Sequence, residues 1–104
     1  AVSYYERYLV FATTAQTVLF KNRIGDIYRT LGEYKMAVEE YEDIIEKYPE
    51  DATAYISLAT MLLIDMKDVN TSAMIYMKAG ELPDIEFNSN FVSLKNKLKN
   101  VGGI

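Results

Sequence analysis

The chain contains no cysteine and no histidine among its 104 residues. That excludes a disulfide framework, the usual zinc-ligand sets, and His-based acid–base or triad chemistry. No cofactor is implied. Long hydrophobic runs are missing as well. The most apolar stretch, residues 8–20, is interrupted by Thr13, Thr14, Gln16 and Thr17 and is too short to span a bilayer, so no membrane insertion is expected. Positive charge is in deficit. Eleven Lys and Arg against 15 Asp and Glu leave a net charge of −4, the opposite of the basic face a nucleic-acid binder presents. No secretion signal is visible, and Ala1 already stands in a helical pattern, so a leader or upstream repeats are expected to have been removed. Lack of cysteine fits any compartment; the cytoplasm is favoured, although no residue specifies it.

Half of the residues are apolar, enough to bury a core, and the length suits one small domain or two to three units of a helical solenoid. The stretch Ile24–Pro49 organises the rest. Phe20, Ile24, Ile27, Tyr28 and Leu31 form one set; Ala37, Val38, Tyr41, Ile44, Ile45 and Tyr48 form another. Both recur at three-, four- and seven-residue intervals, so each paints an apolar stripe along a helix. Leu31-Gly32 ends the first helix and Pro49 the second.

Residues 1–12 read as a helix with Val2, Tyr5, Tyr8 and Leu9 on one side. Thr13 with Gln16 is a capping-box pattern, which starts a helix over residues 14–31. Gly25 inside it lowers helix propensity by about 1 kcal/mol relative to alanine, so a second helix is expected to cross too closely for a Cβ. The next helix covers residues 34–47, with Glu39, Glu40, Glu42, Asp43 and Glu46 on its outer face. Those carboxylates diverge, unlike calcium ligands, which makes the face a solvated one. Asp51 is the expected N-cap of a helix over residues 52–65 that is apolar nearly all round. Asp68 or Asn70 caps the following helix, which ends before Leu82-Pro83. A last helix starts near Ser89, with Phe91, Leu94, Leu98 and Val101 inward and Lys95, Lys97 and Lys99 outward; Gly102-Gly103 ends it. Asn70-Thr71-Ser72 has the form of a glycosylation sequon, read here as an accident of a helix start.

The pattern repeats. Ile24, Gly25 and Tyr28 return 34 residues later as Leu58, Ala59 and Leu62, and Val38, Tyr41 and Ile44 return 35 later as Ala73, Tyr76 and Ala79. In residues 18–51, Ile24-Gly25, Tyr28, Gly32, Tyr34, Ala37, Tyr41 and Pro49 stand at the spacing of the tetratricopeptide repeat, which the chain therefore resembles. Two residues depart from it. Lys21 replaces the large aromatic of the first turn, with Phe20 expected to fill its space, and Met66 replaces the second inter-helix glycine. The resemblance implies an all-α fold, a right-handed α-α superhelix of stacked antiparallel helix pairs with about six helices. Its parts are a partial repeat over 1–12, a complete repeat over 14–49, a second over 51–83 and a capping helix over 84–104.

In proteins resembling this one, the first helices line a concave groove that holds a peptide or protein ligand. Mapped by the repeat, the partner-binding residues are Leu19, Asn22, Asp26 and Arg29, with Thr30, in the first unit, and Thr53, Ile56, Thr60 and Leu63, with Ile64, in the second. An apolar side chain is expected to sit over Ile56 and Leu63 unless the last helix folds across that strip and makes it core. Several members of the family hold a C-terminal carboxylate with basic groove residues. Here the matching places are Asn22, Asp26, Thr53 and Ser57, and Asp26 repels a carboxylate. The function expected is therefore non-enzymatic protein binding. Self-association as a homo-oligomer through Val2, Tyr5, Tyr8 and Leu9, or service as a recognition segment of a larger protein, stands as the alternative.

Overall fold

Backbone chemistry at a few positions decides where the rods begin and end. A computed structural model describes residues 14–104. The expected leading helix over residues 1–12, with Val2, Tyr5, Tyr8 and Leu9, lies outside the described residues. Five α-helices follow: α1 Thr14–Thr30, α2 Tyr34–Lys47, α3 Ala52–Ile64, α4 Val69–Ala79 and α5 Ser89–Asn100, with a 3-10 turn at Ile85–Phe87 ahead of α5. Among the described residues there is no strand. The chain divides into two units, residues 1–51 and 52–104.

In the first unit, α1 and α2 pack as a hairpin. Gly32 takes the left-handed conformation with φ 78°, which only glycine adopts without strain. The Glu33 N–H then donates to the Tyr28 carbonyl at 2.8 Å and the Gly32 N–H to that of Arg29 at 3.0 Å, satisfying carbonyls that the ended helix leaves unpaired. Leu31 falls beyond the last helical residue and is 67 % exposed, so it does not belong to the core stripe its spacing suggested. Where the two helices cross, a Cβ on Gly25 would lie 2.6 Å from Cε1 of the Tyr41 ring. Tyr41 is fully buried there, and its hydroxyl donates to the Asp26 carboxylate. Ile24, Ala37 and Ile44 complete the buried set of this pair.

The hairpin is also fastened at its polar margin. Lys21 Nζ lies 3.1 Å from Asp43 Oδ2, and Lys47 Nζ lies 3.2 Å from Asp43 Oδ1. Burial works against ionisation of the Asp43 carboxyl, but hydrogen bonds and charge from Lys21 and Lys47 outweigh it and hold the pKa below the ordinary aspartate range. Asp43 is thus paired with α1, whereas its place on the acidic outer stripe suggested solvation. Lys21, which departs from the repeat pattern, is the residue that makes this pair. Phe20 is half-buried under the Arg23 guanidinium, 5.9 Å from the ring centroid.

The second unit solves the same crossing differently. Ala59 holds in the repeat the place that Gly25 has 34 residues earlier, and it is fully buried. The crossing is made instead by buried Ser72, whose Oγ donates to the Ala59 carbonyl at 2.7 Å. Tyr76, the counterpart of Tyr41, is only partly buried and stacks on Phe91 of α5, with centroids 4.7 Å apart and planes at 12°. That burial raises the Tyr76 pKa. Ala59, Leu63, Leu94 and Leu98 form one buried cluster, flanked by Val69, Ala73, Ile75 and Tyr76, so α5 closes over the α3–α4 pair. Asn88 caps α5, its Oδ1 accepting from the N–H groups of Asn90 and Phe91 at 3.0 and 3.1 Å. Asp68 caps α4 through Thr71.

Candidate protein-interaction surface

The exposed side of α1 follows from its sequence: with Ile24 and Gly25 turned to α2, Leu19, Arg23, Asp26 and Thr30 fall on the opposite side of the helix. Leu19 is 49 % exposed, and Asp26 is exposed. Arg29 is half-buried. Asp26 also lines a shallow groove of about 310 Å³ with Arg23, Ile27, Thr30 and Leu31, which share one side of the helix. The groove therefore combines an apolar floor, from Ile27 and Leu31, with one cation and one anion. Asp26 has a double duty, since it also accepts the Tyr41 hydroxyl. That ties the exposed carboxylate to the buried crossing.

Asn22 sits differently from its neighbours. It is buried, donating from Nδ2 to the Val18 carbonyl at 3.1 Å and to Asp51 Oδ2 at 2.8 Å. These bonds fix α1 to the segment just ahead of α3. Asn22 Oδ1 has no hydrogen-bond partner among the described residues.

On α3, Thr53 is exposed and Thr60 half-buried, while Ile56 and Leu63 are each 8 % exposed. Leu63 belongs to the cluster with Leu94 and Leu98, so the last helix does cover that end of the apolar strip. The structure thus leaves Leu19, Asp26 and Thr53 open to solvent, Arg29 and Thr60 partly open, and Asn22, Ile56 and Leu63 inside. Arg23, Ile27 and Leu31 line the α1 groove without having been singled out for it. Ile27 and Leu31 carry the core period, and only the helix ending at Thr30 turns Leu31 outward.

The charged side chains of the groove are Arg23 and Asp26, and the chain contains neither Cys nor His. Among the described residues no group of three or more metal-ligating side chains converges, and no helix is long and apolar enough to cross a membrane.

Residues 20–61 match the family described as Tetratricopeptide repeat. This segment runs from the middle of α1 through α2 into α3. No curated protein and no solved structure matches the chain.

Proposed function

We propose, from the premise that the chain belongs to the tetratricopeptide repeat family, that it is a non-enzymatic module holding a segment of another protein against its first helices, α1 and α3. Repeats of this family mediate protein–protein interaction, which supports the coarse reading. The finer one rests on a single observation: the α1 face from Leu19 to Leu31 stays open and forms an apolar groove with Arg23 and Asp26 at its edge. A bound segment places an apolar side chain over Ile27 and Leu31, while Asp26 and Arg29 fix its polar groups. On α3, Thr53 and Thr60 supply hydroxyls, while Ile56 and Leu63 are buried and hold the helix in place rather than meeting the partner. Affinity then comes from apolar burial and preorganised hydrogen bonds rather than from area alone.

Site-specific photo-crosslinking in native lysate tests this. A photoreactive residue placed at Leu19 or at Thr53, both exposed, is expected to capture the same partner, whereas one at Glu46 on α2 is not. Equal capture from all three positions, or none from the first two, rejects the first-helix surface.

A further inference from the structure

A second cleft opens in unit two, between the C-terminal ends of α3 and α5. Its volume is about 550 Å³, within the range of sites that enclose small ligands or side chains. Leu63, Ile64, Val69 and Val101 make its apolar surface, and Lys67 and Lys97 stand on opposite sides with Asn100 beside them. Ile64 is 45 % exposed and Val101 55 %, so this apolar surface is accessible rather than core. None of the lining residues is acidic, in a chain whose net charge is −4. Both lysines are exposed, and among the described residues neither forms an ion pair.

The backbone adds an independent observation. Lys67 has φ 56°, a left-handed conformation that strains any residue with a Cβ. Gly32 meets the matching demand in the first hairpin at no such cost. The second turn is one residue longer, closing with the Asp68 N–H on the Leu62 carbonyl at 2.7 Å. A glycine at position 67 would relax this turn; a lysine there instead keeps a cation at the mouth of the cleft. Strain that persists where a side chain borders an accessible cavity points to use of that side chain.

We propose that this cleft receives an acidic–apolar segment of a partner protein: one apolar side chain enters between Ile64 and Val101, and carboxylates on either side of it pair with Lys67 and Lys97. The charges give register and orientation, and the apolar insertion gives residence time. The inference rests on the reading of the chain as a protein-interaction module and names the chemistry of what it takes.

The probe is an acetylated, amidated peptide, Glu-Glu-Asp-Leu-Phe-Asp-Glu, titrated into the ¹⁵N-labelled chain beside a counterpart with lysine at every acidic place. Amide shifts of Ile64, Lys67, Lys97 and Val101 are expected with the acidic peptide only, and to weaken as salt is raised. Lys97→Glu should lower the affinity at least tenfold, and Lys67→Gly should lower it severalfold while raising the melting temperature. The cleft is rejected if those amides stay still, if both peptides bind alike, or if Lys97→Glu changes nothing. It is equally rejected if the same shifts appear on concentrating the chain alone, because a second copy is then the occupant. The two readings fail separately. Shifts confined to α1 and the Thr53 end of α3 sink the cleft and keep the first-helix surface, whereas cleft shifts combined with failed cross-linking at Leu19 and Thr53 do the reverse.

Discussion

Tyr41 shows how much a single side chain carries in a hairpin of this size. It is fully buried, its ring fills the space Gly25 leaves open, and its hydroxyl reaches the Asp26 carboxylate. Tyr41→Ala is expected to destabilise the fold by about 3–5 kcal/mol, the range for removing a buried aromatic ring and leaving a cavity. A urea melt followed by circular dichroism checks it. Domains have only roughly 5–15 kcal/mol of stability, so the loss should be plain in the midpoint. Asp43 makes a pH-dependent contribution. Its folded pKa lies below the ordinary value, so the unfolded chain binds the proton more readily. The stabilisation is therefore complete above the ordinary aspartate value of about 4 and disappears as pH falls through the lower folded value. Lys21→Met removes one of the two cations on this carboxylate. Urea midpoints measured between neutral pH and about pH 3 should fall less steeply in that variant than in the parent, since part of the acid-labile stabilisation is already gone. An unchanged acid slope would remove the Lys21–Asp43 pair from the account.

At the scale of helices, the sequence was most informative where one local demand has one residue answer. Gly32 and Gly102 end their helices in the left-handed region, with φ 78° and 75°, and the expected starts at Tyr34, Ala52 and Ser89 coincide with those in the structure. Gly25 within a helix signalled a close crossing, and the crossing ring is that of Tyr41. The period of apolar residues also separated core from surface on α2, whose buried Ala37, Tyr41 and Ile44 fall on one side. What stayed hidden depends on residues far apart in the chain. Nothing near Lys21 or Asp43 announces their ion pair, and nothing near Asn22 announces its bond to Asp51, 29 residues on. The short turn at Ile85–Phe87 has too few residues for a period to register. On the candidate surface, exposure of Leu19 and Thr53 was legible from the repeat. Burial of Asn22 was not, and for Ile56 and Leu63 cover by the last helix stood as one of two open outcomes, because the repeat fixes which side of a helix a residue occupies, not what later covers it.

For the molecule as a whole, the two units hold their main supports internally. Tyr41 has Gly25 and Asp26 as neighbours in the first, and Ser72 has Ala59 in the second. Repeat architectures concentrate their interactions within units and between immediate neighbours. Ser72→Ala removes one buried hydrogen bond and should cost about 1 kcal/mol. Combined with Tyr41→Ala, the two losses should sum to within about 0.5 kcal/mol, as for sites that share no partner. A double-mutant cycle by denaturant unfolding measures the coupling, and a larger deviation would show that the crossings communicate. The unlike crossings have a further consequence for anyone building longer arrays from this protein. Gly25 and Tyr41 are a matched couple, so an alanine such as Ala59 at the Gly25 place of a copied hairpin, with Tyr41 kept, forces an overlap with its ring. Duplicated blocks must be copied as whole helix pairs; a sequence averaged over the two would splice incompatible halves.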